Sequence, residues 1–320
     1  MMALDIILAF ALDLAIGDPA YLPHPVRAIG KAAEALERLL LRPGRRPAHD
    51  RAMGVLLALS VPLAVFFVSY YAVLLAGTAL GSLSARALTV YLAYTTISAK
   101  GLADAAREVV YPLKAGDIEG ARRALSAIVG RDTGGLDEDG VARGAVETVA
   151  ENTSDGVVAP LFYLALGGAP LALAYKAVNT LDSMVGYRSE KYRYFGWAAA
   201  RADDLANFIP ARLTGLLMAA ASYVLGGVYS WEDSLRILKR DRKNHPSPNS
   251  GHPEAAAAGA LRVRLGGESS YSGVASVKPF IGDPEEPLTA GKIGDAVRLM
   301  YAAAFLAAGL AALLAYVIEG

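Results

Sequence analysis

MGVLLALSVPLAVFFVSYYAVLLAGTAL, residues 53–80, carries no charged side chain in 28 positions. A bilayer-spanning helix needs about 20 such residues, and water tolerates no exposed apolar run of that length. LMYAAAFLAAGLAALLAYVI, residues 299–318, is a second uncharged run of spanning length. Together they predict an integral membrane protein. Composition agrees: 54% of the 320 residues are hydrophobic, with 32 glycines in addition, where soluble domains hold roughly 45–50% apolar residues even with glycine counted.

Working outward, Met2–Ile16, Ala87–Ile97 and Ile209–Tyr229 are weaker spanning candidates, being short or carrying a charge. The expected fold is all-α, a polytopic membrane protein of about four to six membrane helices in one membrane-embedded domain, residues 1–320. Polar regions 17–51, 100–151, 182–207 and 230–298 hold 7, 7, 4 and 10 Lys and Arg residues. Because cytoplasmic loops collect these residues, all four are expected on the cytoplasmic side of the cell membrane. A chain crossing once at VVAPLFYLALGGAPLALAYKAV, 157–178, cannot place them so. Gly167-Gly168-Ala169-Pro170 at its centre disfavours a continuous helix, and each half is about 15 Å long at 1.5 Å per residue. A re-entrant helical hairpin is the expectation, with both polar ends returned to one face.

Asp5 and Asp13, and the lack of a basic leading segment, argue against a cleaved signal peptide. Lys plus Arg and Asp plus Glu balance at 31 each, so no basic field recruits nucleic acid. With no cysteine, thiol nucleophiles, disulfides and cysteine-ligated metals are excluded. There is no G-x-x-x-x-G-K-[ST] loop, G-x-S-x-G elbow or H-E-x-x-H pair.

In region 100–151, helices are predicted over Ala99–Lys114, Asp117–Val129 and Asp137–Thr153, with Asp117 and Asp137 as N-caps. Lys239–Gly291, dense in Gly, Pro, Ser and Asn, reads as ordered loop plus one short helix.

Arg143, Glu147, Glu151 and Asp155 recur every four residues on one predicted helix face. An Arg143–Glu147 ion pair on a solvated stripe would explain the first two. Glu147–Glu151 and Glu151–Asp155 are like-charge neighbours, which each destabilise unless a cation lies between them. Oxygen ligands of this kind suit Mg²⁺ rather than zinc. Beyond the hairpin, Lys176, Asn179 and Asp182/Ser183 share a face, and ARADDLANFIPARLTG adds Asp203, Asp204, Asn207 and Arg212. The acidic groups predict a metal–phosphate site drawing on Glu151, Asp155, Asp182, Asp203 and Asp204. HPSPNSGHPEAAAAGAL, 245–261, opens a helix at Pro253 with Ser250 or His252 near its cap. Its N-terminal amides make an anion site, to which Asn249, Ser250 and the histidines add donors, with Arg242 and Lys243 just upstream. A rigid surface turn is the competing reading. GDPAYLPHPVRAIGK, 17–31, repeats the pattern with Asp18, His24 and Arg27 among prolines.

These stretches resemble the cobinamide-phosphate synthases of cobalamin biosynthesis, the CobD/CbiB family. The likeness rests on five collinear motifs: D-x-x-x-G-D-P…P-H-P-V near the start, E-x-x-x-E-N-x-x-D-G-x-x-A-P at 147–160, N-T-L-D-S-M-V-G-Y at 179–187, A-R-x-D-D…I-P-A-R-L-T at 200–214, and H-P-S-P-N-S-G…P-E-A-A-x-A-G-A-L at 245–261. The resemblance implies an amide ligase joining a propionate of adenosylcobyric acid to an amino alcohol (aminopropanol) or its phosphate, with ATP as co-substrate and Mg²⁺. His245, Glu147 and Glu151 are then the expected catalytic residues, His245 deprotonating the incoming ammonium. Asn249, Ser250, Arg212, Asn152, Asn179, Lys176 and His24 are expected on phosphate or substrate. The bilayer and other membrane-bound enzymes of the pathway are the expected partners. A transporter of a small anionic substrate predicts ionisable residues in mid-membrane, which the two clear spans lack; a non-catalytic scaffold needs no clustered carboxylates.

Overall fold

The computed structural model describes residues 2–19, 21–41, 46–187, 189–271 and 273–319; residues 42–45, within the first polar region, lie outside it. Among the described residues thirteen α-helices run in chain order: α1 Met2–Ile16, α2 Pro25–Leu40, α3 Pro47–Leu80, α4 Ser82–Tyr94, α5 Ala99–Lys114, α6 Ile118–Ser126, α7 Glu138–Thr153, α8 Ala159–Val185, α9 Trp197–Ala206, α10 Phe208–Leu225, α11 Trp231–Asp241, α12 Gly251–Leu261 and α13 Ala290–Glu319. A π-helical turn, Ser154–Val158, joins α7 to α8, and two strands, β1 Leu265–Tyr271 and β2 Val274–Ile281, precede α13. The chain divides into two compact units. Unit 1 is Met1–Ser98, Ala159–Asn207 and Ala308–Gly320; unit 2 is Ala99–Val158 and Phe208–Ala307.

Four helical stretches among the described residues are long and apolar enough to cross a membrane: Pro47–Leu80, Glu138–Val185, Phe208–Leu225 and Ala290–Glu319. The third corresponds to the weaker candidate Ile209–Tyr229. α1 and α4, of 15 and 13 residues, are too short to cross unaided. Both uncharged runs extend further than apolarity alone marks, because helical backbone continues into polar residues at the N-terminal end of each.

In unit 1, α3 displays Leu59, Leu63, Phe67, Tyr71 and Leu75 on its exposed side, a surface suited to lipid. Its Gly54 lies against the Phe195 carbonyl, where a Cβ would collide, so the segment before α9 packs directly on α3. The charge in α1 is answered across the unit: Asp5 accepts from Arg86 of α4 at 2.8 Å. α8 is broken at Gly167 (φ −155°, ψ 21°) and Gly168 (φ 66°, ψ −164°), the second conformation being accessible essentially to glycine alone. Tyr163 and Tyr175, twelve residues apart, stack at 4.9 Å between ring centroids. An uninterrupted helix would separate them by roughly 18 Å. The two halves therefore fold back on each other as a helical hairpin, and both tyrosines reach the end of α9: Tyr163 Oη donates to the Ala206 carbonyl at 2.8 Å and Tyr175 Oη to Asn207 Oδ1 at 2.9 Å.

In unit 2, Asp117 and Asp137 cap α6 and α7 as their sequence predicts, each accepting an amide three residues on, at 2.8 Å. α12 is buried along its whole length, which its Ala-rich sequence allows because small side chains let neighbours approach on every side. Gly259 meets the Asp233 carbonyl and Gly251 the Arg242 carbonyl, both closer than a Cβ permits. The expectation of loop plus one helix for Lys239–Gly291 is corrected: α12 is that helix, but β1 and β2 pair antiparallel. The glycine-rich run was legible as loop because Gly266 and Gly267 sit at φ 82° and 86°, at the irregularity in strand register between Leu265 and Gly267.

Candidate active site

Unit 2 gathers most of the predicted chemistry around the start of α12. Glu147, on the inner side of α7, is ion-paired to Arg131, both side chains buried, and its Oε1 accepts the Gly266 amide at 2.8 Å. The Arg143–Glu147 pair suggested by helical spacing is not formed. Arg143 reaches the Glu268 carbonyl at 3.3 Å instead, because the loop before α7 and the β1 backbone come closer to Glu147 than its neighbour one turn away. Glu151 Oε1 accepts from Ser250 Oγ at 2.8 Å; its Oε2 has no hydrogen-bond partner among the described residues, and the residue is part-exposed. Asn152 Nδ2 turns back onto the Thr148 carbonyl at 3.0 Å. Asp155 lies in the π-helical turn, whose wider winding takes it off the four-residue stripe of α7. Such turns are common at functional sites.

The expected cap at α12 is also rearranged. Ser250 occupies the cap position, but its hydroxyl serves Glu151 rather than the helix amides. Ser247 Oγ takes the amides of Asn249 and Ser250, and the Glu254 amide reaches the Ser250 carbonyl. The anion site expected from open N–H groups is thus largely closed by the chain itself.

His245 stands at the centre. The Ser247 amide donates to its Nδ1 at 3.0 Å, so a neutral ring carries its proton on Nε2. Nε2 faces Glu254 Oε1 at 3.6 Å and Lys278 Nζ at 3.2 Å. An ammonium has no lone pair, so the Lys278 contact brings two donors together rather than forming a hydrogen bond. Burial and the Lys278 charge push the His245 pKa down. Burial, reinforced by Glu147 and Glu151, pushes the carboxyl of fully enclosed Glu254 well above the glutamate range. Burial opposes the Lys278 charge, but the surrounding glutamates outweigh it and hold its pKa above the usual value. Arg131, Lys278 and Glu254 are the residues sequence reasoning missed. The one local signal was a single lysine between Val277 and Pro279 in an otherwise apolar run.

Glu254 makes a pH prediction. Its folded pKa is raised above the unfolded one, so the folded state binds the additional proton. Wild-type stability then falls as pH climbs from the ordinary glutamate range through the folded value. Glu254→Gln has no such proton to lose. Its melting temperature should gain on wild type steadily between about pH 5 and pH 9; a constant difference across that range would rule the protonated carboxyl out.

Unit 1 gathers the remaining residues. Asp203 accepts from Asn179 Nδ2 at 3.2 Å and Asn207 Nδ2 at 3.0 Å, and burial pushes its carboxyl pKa up against those bonds. Lys176 Nζ donates to Asn179 Oδ1 at 3.4 Å and acts electrostatically on both Asp203 and His24. His24 Nε2 lies 3.4 Å from Asp18, its Nδ1 is buried without a hydrogen bond, and burial pushes its pKa down. Asp204 pairs with Arg201 at 3.2 Å, while Asp182 closes against Gly186. The five expected metal ligands therefore divide, Glu151 and Asp155 in unit 2, Asp182, Asp203 and Asp204 in unit 1. Among the described residues no three Asp, Glu or His side chains are grouped as a ready-made metal cage.

A family model described as CobD/Cbib protein matches residues 6–300. The chain belongs to the CobD/CbiB family. Cobalamin biosynthesis protein CobD of Geobacter metallireducens is 51% identical over 309 residues, 97% of this chain and 95% of that protein. Cobalamin biosynthesis protein CobD of Citrobacter koseri is 46% identical over 95% of this chain and 94% of that protein. Cobalamin biosynthesis protein CbiB of Salmonella paratyphi B is 46% identical over the same shares. No solved structure matches the chain. CobD/CbiB membership supports a role in cobalamin biosynthesis, and all five motifs that carried the resemblance fall within the matched span.

Proposed function

We propose that the chain is an adenosylcobinamide-phosphate synthase, an ATP-dependent carbon–nitrogen ligase of the cell membrane that works on the cytoplasmic side. It would join a propionate of adenosylcobyric acid to aminopropanol or its phosphate. What carries the reading is the His245–Lys278–Glu254 contact set beside Glu151 and the Arg131–Glu147 pair, in a chain of this family. Amide formation from a carboxylate requires negative charge to be held, a proton to be removed from an ammonium, and water to be limited; a half-buried cationic and carboxylate cluster serves all three.

In the proposed sequence a corrinoid carboxylate oxygen bonds to the γ-phosphorus of ATP, the bond to the β-phosphate oxygen breaks, and ADP leaves. The amino nitrogen then bonds to the acyl carbon, the acyl–oxygen bond breaks, and inorganic phosphate leaves. His245, expected as the base, has its Nδ1 lone pair engaged by Ser247, so the ammonium proton goes to Glu151 through Oε2. Glu147, with both oxygens engaged, acts as a positioning residue for β1 and Arg131. Lys278 supplies the fixed positive charge. A Mg²⁺ held by carboxylates of this chain would neutralise the polyphosphate. Within unit 1 by itself, Asp203, oriented by Asn179 and Asn207, is a carboxylate prepared to hold a divalent cation, and Lys176 and His24 beside it suit an anion.

An isotope experiment tests the route. With ¹⁸O in the corrinoid carboxylate, one label should appear in inorganic phosphate for each amide formed. Label in AMP, or retained in the amide with none in phosphate, would exclude the γ-phosphoryl route.

A further inference from the structure

Arg212, one turn into α10, and Arg242, at the end of α11, both lack a carboxylate partner among the described residues. Arg212 Nη1 donates to the Phe208 carbonyl at 2.6 Å and Asn249 Oδ1 at 3.4 Å, with its guanidinium over the Phe208 ring at 3.5 Å. Arg242 Nη1 donates to the Lys239 carbonyl at 2.5 Å and the Leu238 carbonyl at 3.4 Å. Two glycines bring the backbone segments that carry these residues close together. A Cβ on Gly215 would meet the His252 carbonyl at 3.1 Å, and Gly251 admits the Arg242 carbonyl. His252, 9% exposed, has no hydrogen bond to its ring among the described residues and lies within electrostatic reach of both guanidiniums. Burial and the two guanidiniums push its pKa down to about 4.

Two cations without an acid partner, on segments packed against the start of α12, and an imidazole without a hydrogen bond describe a place completed by an anion. Guanidinium forks match phosphate oxygens, and a neutral histidine adds one N–H donor at neutral pH without needing to be charged. The feature does not depend on the amides leading into α12: Ser247 takes those of Asn249 and Ser250, and the His252 and Glu254 amides reach the Asn249 and Ser250 carbonyls. We infer that Arg212, Arg242 and His252 form a phosphate-binding subsite in unit 2, built from side chains other than those of the His245–Lys278–Glu254 set. Its assignment to a substrate rests on the proposed ligase reaction; the existence of the site does not. Phosphate on an amino alcohol and the terminal phosphates of a nucleotide offer the same oxygens, and kinetics distinguish them.

The test uses the full chain purified in neutral detergent. Inorganic phosphate and pyrophosphate should raise the wild-type melting temperature in a saturable manner. Arg242→Gln should lose most of that rise, while Arg242→Lys, which keeps the charge and guards against a folding defect, should keep part of it. Equal stabilisation of wild type and Arg242→Gln, or none in wild type, would overturn the subsite whether or not the protein forms amide. In turnover, Arg242→Gln should raise the KM of one phosphorylated substrate at least tenfold. A rise for the amino alcohol phosphate places the ester there, and a rise for ATP places the nucleotide there. Unchanged KM for both overturns the substrate assignment.

Discussion

Glu151→Gln is expected to fold, remain in the membrane and lose about 10²–10⁴-fold in amide formation, the span over which a positioned general base contributes. Glutamine keeps the shape and can still accept from Ser250 Oγ, so the 2.8 Å contact that orients the side chain survives. What it cannot do is take a proton. Loss should therefore fall on kcat, with substrate KM values nearly unchanged. Turnover within tenfold of wild type would move the base elsewhere. A loss confined to KM would make Glu151 a ligand for substrate or metal only.

The second large effect concerns stability. Arg131 and Glu147 are paired with side-chain exposures of 8% and 5%. Removing one partner of such a pair typically destabilises by about 3–5 kcal/mol, since the remaining charge stays buried without its counter-ion. Arg131→Met should reach that range in reversible unfolding in detergent, or inactivate irreversibly at markedly lower temperature. Arg131→Met combined with Glu147→Leu should recover much of the loss, because two apolar groups of similar size leave no isolated charge. A single variant as stable as wild type would mean that water reaches the pair.

Much of the fold was legible because membrane burial writes itself in long uncharged runs. Residues 53–80 and 299–318 both lie in helices long enough to span, and the Gly167-Gly168 break in α8 follows from backbone freedom that glycine alone supplies. The caps Asp117 and Asp137 were legible because side-chain capping is local. The β1–β2 hairpin was not. Its strand pairing joins residues whose exposed side chains show little alternation, and its glycines read as loop. Among the candidate residues, Glu151 and His245 of unit 2 and Asp203 of unit 1 stood out through motif and spacing. Arg131, Lys278 and Glu254 did not, since each meets its partners only in the fold: Glu147, His245 and the glutamates of α7. For the same reason helical spacing offered Arg143 as the competing partner of Glu147, where the fold supplies Arg131.

The most direct measurement is made on the purified chain in detergent with Mg-ATP, adenosylcobyric acid and aminopropanol phosphate, following corrinoid product and nucleotide together. Ligation predicts a new corrinoid amide accompanied by one ADP and one inorganic phosphate per bond formed, with no product when any substrate is omitted. ATP left intact, or a corrinoid recovered unchanged under conditions where the protein stays folded, would contradict it.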